Sequence, residues 1–187
     1  MNWRIAALLP ALACAALLGF GYYLQYVEGL NPCPLCLVQR GFFYAVMATS
    51  IVAALHNPGN LGRAAYSGAV ALFAAGGFAV AARQVWLQHL PPDKVPQCGP
   101  DLYFMLENFP LSRVLKTLVQ GTGECAVVDW TFLGLSIAGW SLVWFALFAA
   151  GALRLAIAAA AAARRARHSP LHQTAILGTS EYRQRKK

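Results

Sequence analysis

Four stretches of this chain run for about a membrane's thickness with almost no charge, and no other feature constrains its fold as strongly. They fall at about 5–26, 35–55, 64–82 and 132–157. About 20 apolar residues in helical form cross a hydrocarbon core, and a chain in lipid must satisfy its backbone groups internally. The expected fold class is therefore an all-α membrane protein, a four-transmembrane-helix bundle with a long loop at 83–130. The chain is 58% hydrophobic and only 12% charged, against roughly 25% charged in a soluble domain. The expected organisation is one membrane domain over 1–157 and a basic tail over 158–187, expected to be disordered.

The start, Met1-Asn2-Trp3-Arg4, resembles a signal-peptide n-region, and Ala11 to Cys14 faintly resembles a lipoprotein processing site. The apolar run is too long for an h-region and no polar cleavage zone follows, so an uncleaved first helix is expected. Tyr22, Tyr23 and Tyr26 mark an interfacial aromatic belt. His56 to Asn60 reads as a tight turn. The third run is rich in Ala and Gly, which lets membrane helices pack closely. In the long loop, Leu111, Val114, Leu115, Leu118 and Val119 recur at helical spacing with Arg113 and Lys116 opposite, which predicts a short amphipathic helix. It would lie on the membrane surface or cap a small loop core.

Charge orients the bundle. Arg4, Arg63, Arg164, Arg165, Arg167 and the tail cations lie on one side, whereas six of the seven acids lie on the other with Arg83, Lys94, Arg113 and Lys116. The positive-inside rule makes the first side, with both termini, cytoplasmic. The formal net charge of +8 thus speaks to topology. Basic residues are not interleaved with aromatics as nucleic-acid binding would require. Cys33, Cys36, Cys98 and Cys125 then all face the opposite compartment, which in a bacterium is the oxidising periplasm. Cys14 lies mid-span and reads as a small buried hydrophobe. Five cysteines split in this way suggest two pairs and a bystander.

Pro32-Cys33-Pro34-Leu35-Cys36 brings a Cys-x-x-Cys to the start of the second span. A close dithiol is a two-electron redox device, and a helix N-terminus favours a thiolate. A static disulfide is the plainer reading. Cys98 and Cys125 form no second zinc knuckle, although spacing alone leaves a zinc site open. Leu37 stands where a c-type haem motif needs His. Arg40, four residues after Cys36, shares its helical face. It either snorkels to the surface or stabilises the Cys36 thiolate and a reduced, anionic acceptor. Cys98, set between Pro96-Gln97 and Gly99-Pro100, is open to docking. Cys98 and Cys125 could equally staple the loop. His89 either touches a bound cofactor or sits at the surface. Gly121 to Ala126 matches G-x-G-x-x-A but has no βαβ context, so a dinucleotide site is set aside.

Four spans, Pro-Cys-x-x-Cys with an arginine four residues on, a loop cysteine pair and Trp130-x-Phe-Leu-Gly134 opening the fourth span together resemble the disulfide bond formation protein B (DsbB) family of bacterial inner membranes. The resemblance covers about 5–157. It implies a protein-disulfide oxidoreductase that reoxidises a periplasmic DsbA-type thiol oxidase and passes electrons to ubiquinone or menaquinone. It further implies disulfides Cys33–Cys36 and Cys98–Cys125, a mixed disulfide with the partner at Cys98, exchange between Cys33 and the loop pair, and Cys36 engaging the quinone beside Arg40. His89 corresponds only approximately. Cys14 and the long basic tail match nothing in the family. Two other readings stand beside it: a vitamin K epoxide reductase-like enzyme, against which the early position of the Cys-x-x-Cys argues, and a membrane scaffold or metal-binding protein with static disulfides.

Overall fold

The computed structural model describes residues 3–96, 104, 107–112 and 121–167. Among them, four helices are long and apolar enough to cross a membrane: α1 (Trp3–Tyr26), α2 (Pro34–His56), α3 (Asn60–Gln88) and α4 (Ile137–Arg167). The four-helix bundle is as expected. α3 packs most extensively on α4, with smaller seams joining α1 to α2 and α2 to α3. The core takes Cys14 and Leu18 from α1, Phe43 and Val46 from α2, Val70, Ala74 and Ala81 from α3, and Phe145, Phe148 and Ala152 from α4. Cys14 is fully buried there, as a small hydrophobe should be. Leu12, Leu55, Leu72 and Leu147 point outward, where lipid would meet them.

The small residues of α3 make this packing possible. Phe43 and Phe145 stack across the core with ring centroids 4.1 Å apart. A methyl group on Gly77 would come within 2.4 Å of the Phe145 ring. Glycine leaves that volume free.

Chain ends follow local chemistry. After α1, Gly29 turns back with φ +71, and the Leu30 N–H reaches the Leu24 carbonyl at 3.1 Å. Pro34 opens α2, where the missing N–H costs nothing and the fixed φ suits the first turn. Asn57 closes it in the left-handed region, φ 43, with its N–H on the Ala53 carbonyl.

Four boundaries differ from the sequence reading by more than two residues. α3 starts at Asn60, ahead of the expected 64. α3 continues past 82 to Gln88, because Gln84 and the residues around it keep the helical spacing of the buried face and their polar ends find partners inside the protein. The fourth span begins at Ile137, not near 132. Thr131–Phe132 and Leu135–Ser136 instead pair as a short antiparallel hairpin, β1 and β2, around Leu133 (φ 52) and Gly134 (φ 79). Two consecutive positive φ values suit a tight hairpin turn and exclude a helix. Ser136 then accepts the Gly139 N–H at 3.2 Å, a capping bond, and donates to Gln88 Oε1 at 2.7 Å. Finally, α4 does not end at 157 but runs to Arg167, since the alanines that follow are the strongest helix formers. The expected amphipathic helix falls largely on 113–120, and Cys98 and the tail from 168 onward also lie outside the described residues.

Candidate functional site

Proline at the first helical position makes Cys33 the N-cap of α2, with φ −66 and ψ 162, and puts Cys36 in the first turn. The two Sγ atoms are 3.0 Å apart. Over this helix end folds the segment Gly121–Ala126. A 3-10 turn at Gly123–Ala126 carries Cys125 inward, where it is fully buried with Cys33, Leu35 and Leu87. Gly121 makes the close approach possible. Its φ is +77, and a methyl group there would lie 2.4 Å from Leu87 Cδ1 and 3.1 Å from Leu35 Cδ1. Gly121 therefore serves the packing of a cysteine loop on a helix end.

Three cysteines from two distant stretches thus share one pocket. Cys125 is held below the usual thiol range, at about 6. The Cys33 thiol donating to it is the chief cause. Burial opposes, and backbone groups of Leu35 and Thr122 with the Thr122 hydroxyl, 3.7 Å from the sulfur, assist. Cys33 is pushed well above the usual range by its hydrogen bonds to Cys125 and Cys36 and by burial. A thiolate beside a protonated thiol that already touches a third sulfur is an arrangement for thiol–disulfide exchange.

Beneath the sulfurs lies a pair of buried amides. Gln84 of α3 directs Nε2 to Cys33 Sγ at 3.3 Å and to Cys36 Sγ at 3.2 Å. Its Oε1 accepts from Gln39 Nε2 of α2 at 2.6 Å. Arg40, one turn below Cys36, is taken up by α1. It donates to Gln25 Oε1 and to the Gly21 carbonyl, the latter at 3.1 Å, and lies 4.8 Å from the Tyr22 ring centroid. His89 follows the last turn of α3. It is exposed, and its Nδ1 donates to the Val85 carbonyl at 2.8 Å, while Nε2 has no partner among the described residues.

The comparison that bears on this site is with protein families. A family model described as Disulfide bond formation protein DsbB matches residues 3–166. The chain belongs to the DsbB family. The disulfide bond formation protein B of Hahella chejuensis is 55% identical over 139 residues, which is 74% of this chain and 84% of that one. The protein of the same name from Aromatoleum aromaticum is 52% identical over 142 residues, 76% of this chain and 85% of its own. That from Methylococcus capsulatus is 50% identical over 142 residues, 76% and 87%. No solved structure matches. Membership makes the chain a multi-pass membrane protein and a disulfide-forming oxidoreductase, not a static scaffold.

Within this DsbB-family chain, the pocket brings Cys33, Cys36 and Cys125 together, with Arg40 on the α1 side and His89 beyond the end of α3. Cys98 lies outside the described residues. Sequence reasoning missed Gln84 and Gln39. Gln84 lies past 82, where apolarity alone reads as loop, and α3 runs six residues further. Gln39, a polar residue inside an apolar run beside Arg40, carries the one signal available, since a polar group within a span needs a partner.

Proposed function

We propose that this protein sits in a bacterial inner membrane, termini in the cytoplasm, and reoxidises a periplasmic DsbA-type thiol oxidase with a membrane quinone as the final acceptor. The observation that supports the reading is the burial of Cys125 against Cys33 at the head of α2, which brings one loop cysteine to the Cys-x-x-Cys.

The proposed route keeps electrons balanced. A thiolate of the reduced partner attacks Cys98 of a Cys98–Cys125 disulfide, forming a mixed disulfide and releasing Cys125 as thiolate. The partner's second thiol closes its own disulfide and frees Cys98. Cys125 then attacks Cys33 of the Cys33–Cys36 disulfide, and the electron pair leaves on Cys36. Cys98 attacks Cys125, which restores the loop pair and leaves Cys33 and Cys36 reduced. Disulfide exchange only moves oxidation about, so a net oxidant is required. A quinone, ubiquinone or menaquinone, supplies an acceptor for two electrons and two protons. The donor set fits one. Arg40 offers a cation below Cys36, and His89 offers an open ring nitrogen at the same end of the bundle.

The test is purified protein with a reduced DsbA-type oxidase and a soluble quinone, following thiol loss over time. Coupled thiol loss and quinone reduction are expected. Disulfides that do not cycle with quinone overturn the reading. Reporter fusions at each loop check the orientation, and an active periplasmic reporter at the C-terminus contradicts it.

A further inference from the structure

Two primary amides, Gln39 and Gln84, are each only 3% exposed in the upper bundle. Burying an amide is costly unless it is hydrogen-bonded, so what they bond to matters. Gln84 Oε1 is occupied by Gln39 Nε2 at 2.6 Å. In that bond the Gln84 carbonyl faces Gln39, and the NH2 group is turned toward the cysteines. A primary amide has two N–H donors. Here one nitrogen lies 3.2 Å from Cys36 Sγ and 3.3 Å from Cys33 Sγ. The Cys36 sulfur also lies 3.6 Å from Gln84 Oε1, a longer contact available only to the protonated thiol.

We propose that Gln84, oriented by Gln39, receives the thiolate that leaves on Cys36 when the Cys33–Cys36 disulfide opens. The inference rests on the exchange route above. In that step the Cys125 thiolate forms a bond to Cys33 Sγ, the Cys33–Cys36 bond breaks, and the electron pair and negative charge stay on Cys36 Sγ. A donor already aimed at the sulfur that gains charge acts as an oxyanion hole does for oxygen. A hydrogen bond to an ionised acceptor is roughly twice as strong as a neutral one, and burial strengthens it further. Gln84 therefore favours the opened state over the closed disulfide. Gln39 is a positioning residue, acting by holding the flip of the Gln84 amide.

The experiment measures the potential of the Cys33–Cys36 pair in the full chain, with Cys98 and Cys125 replaced by Ala, against glutathione or dithiothreitol buffers. Gln84→Met keeps the shape and removes the donors. It should shift the dithiol–disulfide equilibrium about tenfold toward the disulfide, the scale of one hydrogen bond to a charged group. That is a fall of about 30 mV for a two-electron couple. Gln84→Glu keeps the size, removes the N–H groups and adds a like charge, so it should shift the potential at least as far in the same direction. Gln39→Leu leaves Gln84 in place and frees its flip, and a smaller shift of the same sign is expected. This variant carries the test if the Gln84 variants do not fold. A packing role would lower thermal stability and leave the potential unmoved. Wild-type potentials in folded Gln84→Met and Gln84→Glu, in Gln39→Leu where those two do not fold, or a rise in any variant, overturn the proposal. Failure of the functional reading has a different signature: the unaltered protein would not couple thiol loss to quinone, whatever the potentials of the variants.

Discussion

Arg40 and Cys125 show how single side chains divide the work. Arg40 is anchored by Gln25, the Gly21 carbonyl and the Tyr22 ring, so its charge is fixed in place one turn below Cys36. Replacing it by Ala should raise the apparent quinone KM or lower kcat by one to two decades, the kinetic equivalent of about 1.5–3 kcal/mol for a charge-assisted bond. Lys keeps the charge but loses the planar fork and should fall between. Exchange between Cys98 and the reduced partner should hardly change. Stopped-flow measurement of the two half-reactions separates these outcomes, and a slowed partner exchange with intact quinone reduction would make the arginine structural. In the reduced protein, where Cys33 is a thiol, Cys125 is held at about 6 by the bond that thiol donates and should be mostly thiolate at neutral pH. Its thiolate fraction, followed by ultraviolet absorbance against a Cys125→Ser control, should be nearly complete above pH 7 and fall as pH drops through about 6. An ordinary thiol would instead titrate near about 8.5. A Cys125 thiolate signal that keeps climbing between pH 7 and 9 would contradict this.

At the scale of elements, the site exists because a loop turn docks on two helix ends. Gly121 is the clamp. Its positive φ of +77 and the 2.4 Å approach to Leu87 that a methyl group would make mean that Gly121→Ala strains the backbone and lifts the turn. We expect slowed exchange between Cys125 and Cys33 with the direct chemical reduction of Cys33–Cys36 unaffected, checked by quenched-flow alkylation. A wild-type exchange rate in this variant would show that the close packing is dispensable. Gly77 plays a different part, deep in the bundle. Gly77→Ala forces the Phe145 ring out of its stack with Phe43 and should cost about 1–3 kcal/mol of stability by overpacking. Thermal unfolding in detergent would register the loss. The turn between the loop and α4 belongs to this scale as well. Ser136 ties α4 to the end of α3 through Gln88, which holds His89 and the hairpin at one end of the bundle.

For the whole molecule, the expected behaviour is a relay in which either cysteine pair alone is useless. Cys33→Ser or Cys36→Ser should still insert in the membrane and should abolish quinone-coupled oxidation. Cys125→Ser should accumulate a mixed disulfide between Cys98 and the oxidised soluble partner. The free Cys98 thiolate attacks the partner's disulfide, and one partner sulfur leaves as thiolate. Cys125 is no longer there to displace the partner by reclosing the loop pair. Diagonal gels report the trapped species, and a partner attached only to Cys33 or Cys36 would refute the order of steps.

Much of this was legible in the chain alone. Length and apolarity demand four helices, since lipid leaves the backbone no other partners. Pro34 marks a helix start, which puts Cys33 at the cap and Cys36 in the first turn, and the burial of Cys14 follows from its mid-span position. Such features depend on local sequence and on the solvent, and both are readable residue by residue. Tertiary structure decided the rest. Where α3 stops depends on whether Gln84 and Gln88 find partners inside the protein, and those partners, Gln39, the two sulfurs and Ser136, come from elements far away in sequence. Leu133 and Gly134 turn Trp130 to Ser136 into a hairpin where apolarity alone reads as helix. Gly121 looked like part of a nucleotide motif because its real constraint, the side chains of Leu35 and Leu87, exists only once α2 and α3 stand side by side. The meeting of Cys125 with Cys33 is of the same kind: a long-range contact made by packing, which local spacing does not encode.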